Sequence, residues 1–224
     1  MINIENYGVV NIGDAEIWIT ETVVNTWIIM AILIAAAVAV RISMKKWSRV
    51  PKGSQNAAES VIEIFDNFAT DSMGQKMGYT AGWFFAFFML ILSSALFSIF
   101  GMRAPTADWA TTFGLALIVF VMMVVLGIRH RKGSYLRTFI EPNIIFFPLN
   151  LIGELAKPVS LSFRLFGNML SGTIILTLYY ALTPIFVQFG IPALLHGFFD
   201  IIFGALQTYI FVIISMMYVQ GSTA

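Results

Sequence analysis

From Pro158 to the C-terminus the chain carries two formally charged side chains, Arg164 and Asp200, each inside a long apolar stretch. A charge at mid-bilayer costs about 2.5 to 3.5 kcal/mol on insertion scales, so such a residue marks a polar pathway or a partner. Helical spacing gives each of them company. Ser160, Gly167, Asn168, Ser171 and Gly172 share a face with Arg164, a stripe of small and polar residues. Small residues let another helix approach closely in lipid, so this face is suited to a partner. Further on, His196, Asp200 and Gln207 stand at i−4, i and i+7, with Gly197 and Gly204 beside them.

Two simpler explanations compete: Arg164 could snorkel to the headgroups, or the two charges could pair. Arg164 lies 20 residues before Pro184 and Asp200 eight after Pro192. At about 1.5 Å per residue their depths differ by roughly 18 Å, too far for contact between straight helices. Snorkelling stays open. In an antiparallel hairpin centred near Gln188, Asn168 comes level with Gln207 and Thr208, while Thr173 falls within a turn of Asp200. The result is an inner cluster of Arg164, Asn168 and Gln207 and an outer cluster of Thr173, Asp200 and His196. Two polar pockets at different depths resemble half-channels reaching in from opposite sides. A permanently charged guanidinium between them would attract a mobile carboxylate and make it release its cation. Taken singly, Asn168 or Gln207 is more often a helix-packing hydrogen bond than a transport ligand, and facing outer water is enough to explain His196.

The elements that must position these residues are membrane helices. The 224 residues are 58% hydrophobic and 11% charged, far from the roughly 25% charged residues of a soluble domain. A bilayer core of about 30 Å requires some 20 apolar helical residues. Stretches 22–40, 79–102, 109–128, 158–183 and 193–220 meet that need, the last two separated by a break at Pro184, Gly190 and Pro192. We expect an all-α fold in a single membrane domain of five spans, the last two a long tilted hairpin. Residues 1–21 form an outer N-terminal segment without the positive start of a cleavable signal. Residues 41–78 form a cytoplasmic loop in which 54–69 is an amphipathic helix capped by Ser54, lying on the inner surface, on a partner helix or on the loops. Residues 129–157 are a second basic connection. Arg41, Lys45, Arg129, Arg131, Lys132 and Arg137 in these loops, against Arg103 alone opposite, put the N-terminus outside, the C-terminus in the cytoplasm and Asp108 on the outer side.

"KPVSLSFRLFGNMLSG" from Lys157, "ALQTYIFVIISMMYV" near the end and "PTADWATTFGLAL" before the third span closely resemble subunit a of F-type ATP synthases. The resemblance implies a stator subunit against a rotating c ring, with a b-subunit peripheral stalk and the remaining synthase subunits as partners beside the lipids. H⁺ or Na⁺ would pass through two offset half-channels, in a bacterial-type plasma membrane. Arg164 takes the place of the family's essential arginine, and Asn168 and Gln207 match polar positions near it. Thr173 replaces a frequent Glu or His, Asp200 stands where His or Glu is common, and Ala110 replaces a frequent Asn after Asp108. The choice of ion therefore stays open.

The sequence offers no nucleophile, base and orienter together, no phosphate-binding glycine loop and no cysteine; its two histidines are far apart. We expect no catalytic residues, no metal, no cofactor and no nucleic-acid partner. The alternatives are a small secondary transporter or channel binding an anion at Arg164, and a membrane module whose polar stripes only pack helices.

Overall fold

The computed structural model describes residues 6–12, 15–45, 47, 53–100, 102–141, 143–183, 194–195 and 197–223. Five of its helices are long and apolar enough to cross a membrane. The all-α architecture holds for the membrane part, with one addition at the N-terminus. Asn6–Ile12 (β1) and Ala15–Thr20 (β2) pair antiparallel, Val9 opposite Trp18. The sequence carries the signal: two runs rich in Val, Ile, Thr and aromatics, separated by Gly13 and Asp14.

Strand β2 leads directly into Glu21–Met44 (α1), whose buried residues, Thr22, Asn25 and Ile29, lie near its N-terminal end. The rest of α1 is largely exposed, as a membrane helix facing lipid or another chain can be. Ser54–Met73 (α2) is the expected amphipathic helix, one turn longer than the apolar pattern suggested. Gly53, at φ +58°, precedes it as the cap, and Ser54 is its first helical residue rather than its N-cap. Only the C-terminal half of α2 is packed. Phe65 meets Phe85 and Phe88 at ring separations of 5.1 and 5.7 Å, and Phe68 meets Tyr209 at 5.5 Å, whereas Val61, Ile62 and Ile64 remain exposed.

A short 3₁₀ stretch, Gln75–Thr80, opens Ala81–Phe97 (α3). Trp109–Arg131 (α4) follows, then the short Gly133–Thr138 (α5). The fourth span departs most from expectation. Phe147–Leu182 (α6) has 36 residues and begins well before Pro158, which lies buried inside the helix. The expected basic connection 129–157 is therefore mostly helical. Proline removes one backbone donor, but a helix clasped by neighbours tolerates that loss. The last span starts with a π-helical stretch, Gly197–Phe203, and continues as Gly204–Thr223 (α7). The break at Pro184, Gly190 and Pro192 lies outside the described residues.

The core lies where α3, α4, α6 and α7 meet. Phe84 and Ile91, Val119 and Met123, Leu161 and Leu165, and Phe211, Val212 and Met216 are at most 2% exposed. Two hydroxyls join the apolar contacts: Thr112 on α4 and Ser162 on α6, both fully buried, stand 3.4 Å apart. At Gly204 the backbone of α7 touches α3, since a Cβ there would fall 2.7 Å from Ala95 Cβ. Absence of a side chain fixes that approach.

Candidate functional site: a polar cavity between the last two spans

The N-terminal end of α1, the C-terminal part of α6 and the π-helical stretch, with the loop before α4, line a cavity of about 400 Å³. Three expected residues line it: Asn168 and Thr173 from α6, and Asp200 from the π-helical stretch. Asp200 is 8% exposed. Gly172 is buried facing Phe199, where a Cβ would sit at an ordinary contact distance of 3.7 Å. The hydroxyl of Thr173 donates to the carbonyl of Met169 at 2.9 Å, so its oxygen keeps lone pairs for a cation or water.

The floor of the cavity is Asn168, whose side-chain amide donates to the side-chain carbonyl of Gln207 on α7. This contact matches the depth estimate that set the two residues level. Gln207 is 4% exposed, and its own amide nitrogen is buried without a hydrogen-bond partner. Arg164 lies one turn farther along α6, outside the cavity. Among the described residues its guanidinium makes no hydrogen bond or ion pair; the ion pairs there are Arg137 with Glu141 and Lys157 with Glu154. Arg164 and Asp200 are thus not paired, as the depth estimate requires. Most of the stripe beside Arg164 stays uncovered: Ser160, Asn168 and Ser171 are exposed and a Cβ on Gly167 would meet nothing within 4 Å, whereas Gly172 is buried.

Two expected residues remain, His196 and Asp108. His196 lies outside the described residues. Asp108 is absent from the cavity lining and caps α4, accepting from Ala110 N and from the Thr22 hydroxyl, each at 3.2 Å. It ties the start of α4 to the start of α1.

Two further charges belong to the cavity. Glu21, the first residue of α1, and Arg103 both line it. Side chains of α1 hold the Arg103 backbone: Arg103 N donates to a Glu21 carboxylate oxygen at 3.4 Å, and the Asn25 side-chain amide donates to the Arg103 carbonyl at 2.9 Å. The Arg103 Nη1 is buried without a hydrogen-bond partner. Sequence reading used Arg103 only as a topology marker and took Glu21 as flanking sequence. Their distance along the chain from Asp200 hid the grouping.

Comparison with known proteins gives a family context for this geometry. The family model described as ATP synthase A chain matches residues 23–220. A protein of Propionigenium modestum named "ATP synthase subunit a, sodium ion specific" is 34% identical over 225 residues, covering 91% of this chain and 74% of its own. "ATP synthase subunit a" of Moorella thermoacetica is 32% identical, covering 99% and 98%. Its namesake in Trichlorobacter lovleyi is 32% identical, covering 95% and 90%.

Proposed function

The chain belongs to the ATP synthase A chain family, and on that footing we propose that it is the ion-conducting stator subunit of the synthase membrane sector. The observation that carries this reading is the joint placement of the cavity and Arg164. A polar chamber holding Asp200, Thr173 and Glu21 stops at the Asn168–Gln207 bond, one turn short of an arginine on an uncovered small-residue face.

In this reading the chamber is the outer half-channel. An ion moves from Glu21 past Asp200 and Thr173 towards Asn168, where a carboxylate of the c ring takes it up. Arg164 then meets that carboxylate after its ion has left on the inner side, and its fixed charge prevents direct leakage between the two paths. The buried, unpartnered amide of Gln207 supports the idea of a visiting acceptor beside it. Asp108 and His196 serve the outer approach, the former through its hold on α1 and α4. The b-subunit stalk and c ring are the partners. The N-terminus is outside and the C-terminus cytoplasmic, as the basic residues at the ends of α1 and α4 favour.

A relative named as sodium-ion specific favours Na⁺ as the coupling ion. Comparing ATP synthesis under a Na⁺ gradient with synthesis under a H⁺ gradient decides the ion. The stator role is tested by Arg164→Gln: the complex assembles and ion-driven ATP synthesis is lost. Wild-type synthesis in that variant would sink the reading.

A further inference from the structure

A second cavity, of about 360 Å³, lies at the opposite end of the bundle, where α4, α5, α6 and α7 converge. Arg131, Tyr135, Asn150, Glu154, Lys157 and Ser222 are among its walls. Several of these polar groups are already engaged. Asn150 donates to the carbonyls of Phe139 and Glu141 at 3.1 and 3.0 Å, Ser222 to that of Met123 at 3.1 Å, and Lys157 pairs with Glu154 Oε1 at 2.5 Å.

What remains unsatisfied has a distinct pattern. Glu154 Oε2 and the Tyr135 hydroxyl are buried without a hydrogen-bond partner, and Tyr135 is 5% exposed. The Arg131 guanidinium makes no hydrogen bond or ion pair among the described residues. Tyr135 is held in place from above, because its ring occupies the space where a Cβ on Gly127 would lie, 2.7 Å away. One wall thus offers an anionic acceptor and the other a cation beside a hydroxyl.

The surroundings indicate what matches that pattern. Arg131 ends α4 and Ser222 lies in the last turn of α7, so the cavity sits at the boundary between spans and polar surface. Leu149 lines the cavity and is 64% exposed, and Ile145 and Ile152, at helical spacing from it, are 75% and 64% exposed. A charged chamber at headgroup depth is flanked by an uncovered apolar stripe.

We propose that this cavity binds the phosphoethanolamine headgroup of a membrane phospholipid, with its ammonium on Glu154 Oε2, its phosphate on Arg131 and Tyr135, and its acyl chains along Leu149 and Ile152. A primary ammonium donates hydrogen bonds to a carboxylate, whereas the quaternary ammonium of phosphocholine has none to donate. Preference for the ethanolamine lipid is the signature of the site. It depends on the chain spanning a membrane and not on how ions move.

The test is native mass spectrometry of the detergent-solubilised complex after exchange with dioleoyl phosphatidylethanolamine, phosphatidylcholine or phosphatidylglycerol. The wild type is expected to retain the ethanolamine lipid roughly tenfold better than the choline lipid, the worth of one charge-assisted hydrogen bond. Glu154→Gln removes that preference, and Arg131→Gln and Tyr135→Phe weaken both lipids together. If Glu154→Gln fails to assemble, Tyr135→Phe, which keeps the ring, decides alone. Equal retention of ethanolamine and choline lipids by the wild type, or unchanged retention in Tyr135→Phe, overturns the proposal. Displacement of the lipid by soluble phosphoethanolamine also overturns it, since the site would then belong to a solute.

Discussion

Asn168 on α6 hydrogen-bonds Gln207 on α7 from an exposed position to a buried one. The bond is therefore asymmetric in what its loss leaves behind. Asn168→Leu strands a buried amide that already has one unpartnered nitrogen, while Gln207→Leu replaces that amide with an apolar side chain and frees Asn168 to turn outward. Removing one partner of a buried pair costs about 1–3 kcal/mol, whereas filling the buried position with an apolar group costs less. Asn168→Leu should destabilise the protein more than Gln207→Leu, measured by thermal unfolding in detergent. The reverse order would show that Gln207 is not held as described.

Asp200→Asn should slow uptake of ions from the outside more than their release to the inside. Passive conductance of the reconstituted membrane sector in each direction measures this, and equal slowing would place Asp200 outside the outer path.

Glu21 supplies the second carboxylate of the cavity that Asp200 lines, the outer half-channel in the proposed function. Glu21→Gln should raise the outside ion concentration needed for half-maximal ATP synthesis several-fold and leave the saturated rate close to that of the wild type. Glu21→Asp should restore most of the affinity. Such a separation of affinity from rate is what an ion-collecting group produces and a packing residue does not.

Gly204→Ala would put a methyl group 2.7 Å from Ala95 Cβ. The helices must part, at a cost of about 1–3 kcal/mol. Gly114→Ala on α4 meets nothing within 4 Å and should shift stability by less than about 1 kcal/mol. Thermal unfolding of the two variants side by side checks the contrast.

Burial, and next the neighbouring Glu154 carboxylate, push the Tyr135 hydroxyl above its ordinary 10.0, with Arg131 opposing. The raised value in the folded state means that the unfolded chain gives up this proton first as pH rises. The stabilisation is complete below pH 10.0 and is lost as pH climbs from there through the raised value. Tyr135→Phe should remove that decline, read as the difference between the two proteins in unfolding temperature across alkaline pH.

The spans were legible because length and hydropathy report them directly: every expected membrane helix has a counterpart. Pro158 misled the reading of the fourth, since local propensity says break while tertiary packing on α4 lets the helix run through. At the site, counting from an expected turn near Gln188 set Asn168 level with Gln207 and Thr173 near Asp200; the first two are in contact and the second two line one cavity. Glu21 and Arg103 escaped, because their place in the chamber depends on how α1 and the loop before α4 dock, which no periodicity encodes. The Gly13–Asp14 hairpin signal was present but sat in a segment read only for charge.

The π-helical stretch Gly197–Phe203 carries a consequence for how such chains diverge. A turn of this kind accommodates about one residue more than the α-helical turn it replaces, so it shifts the phase of everything before it relative to α7. Deleting Ile201 or Ile202 would let the helix close up while Gln207 stays seated, and Asp200 would swing about 100° around the axis and away from the chamber. The carboxylate's direction is thus stored as a length, and a one-residue gap here would alter the chamber without exchanging any side chain that lines it.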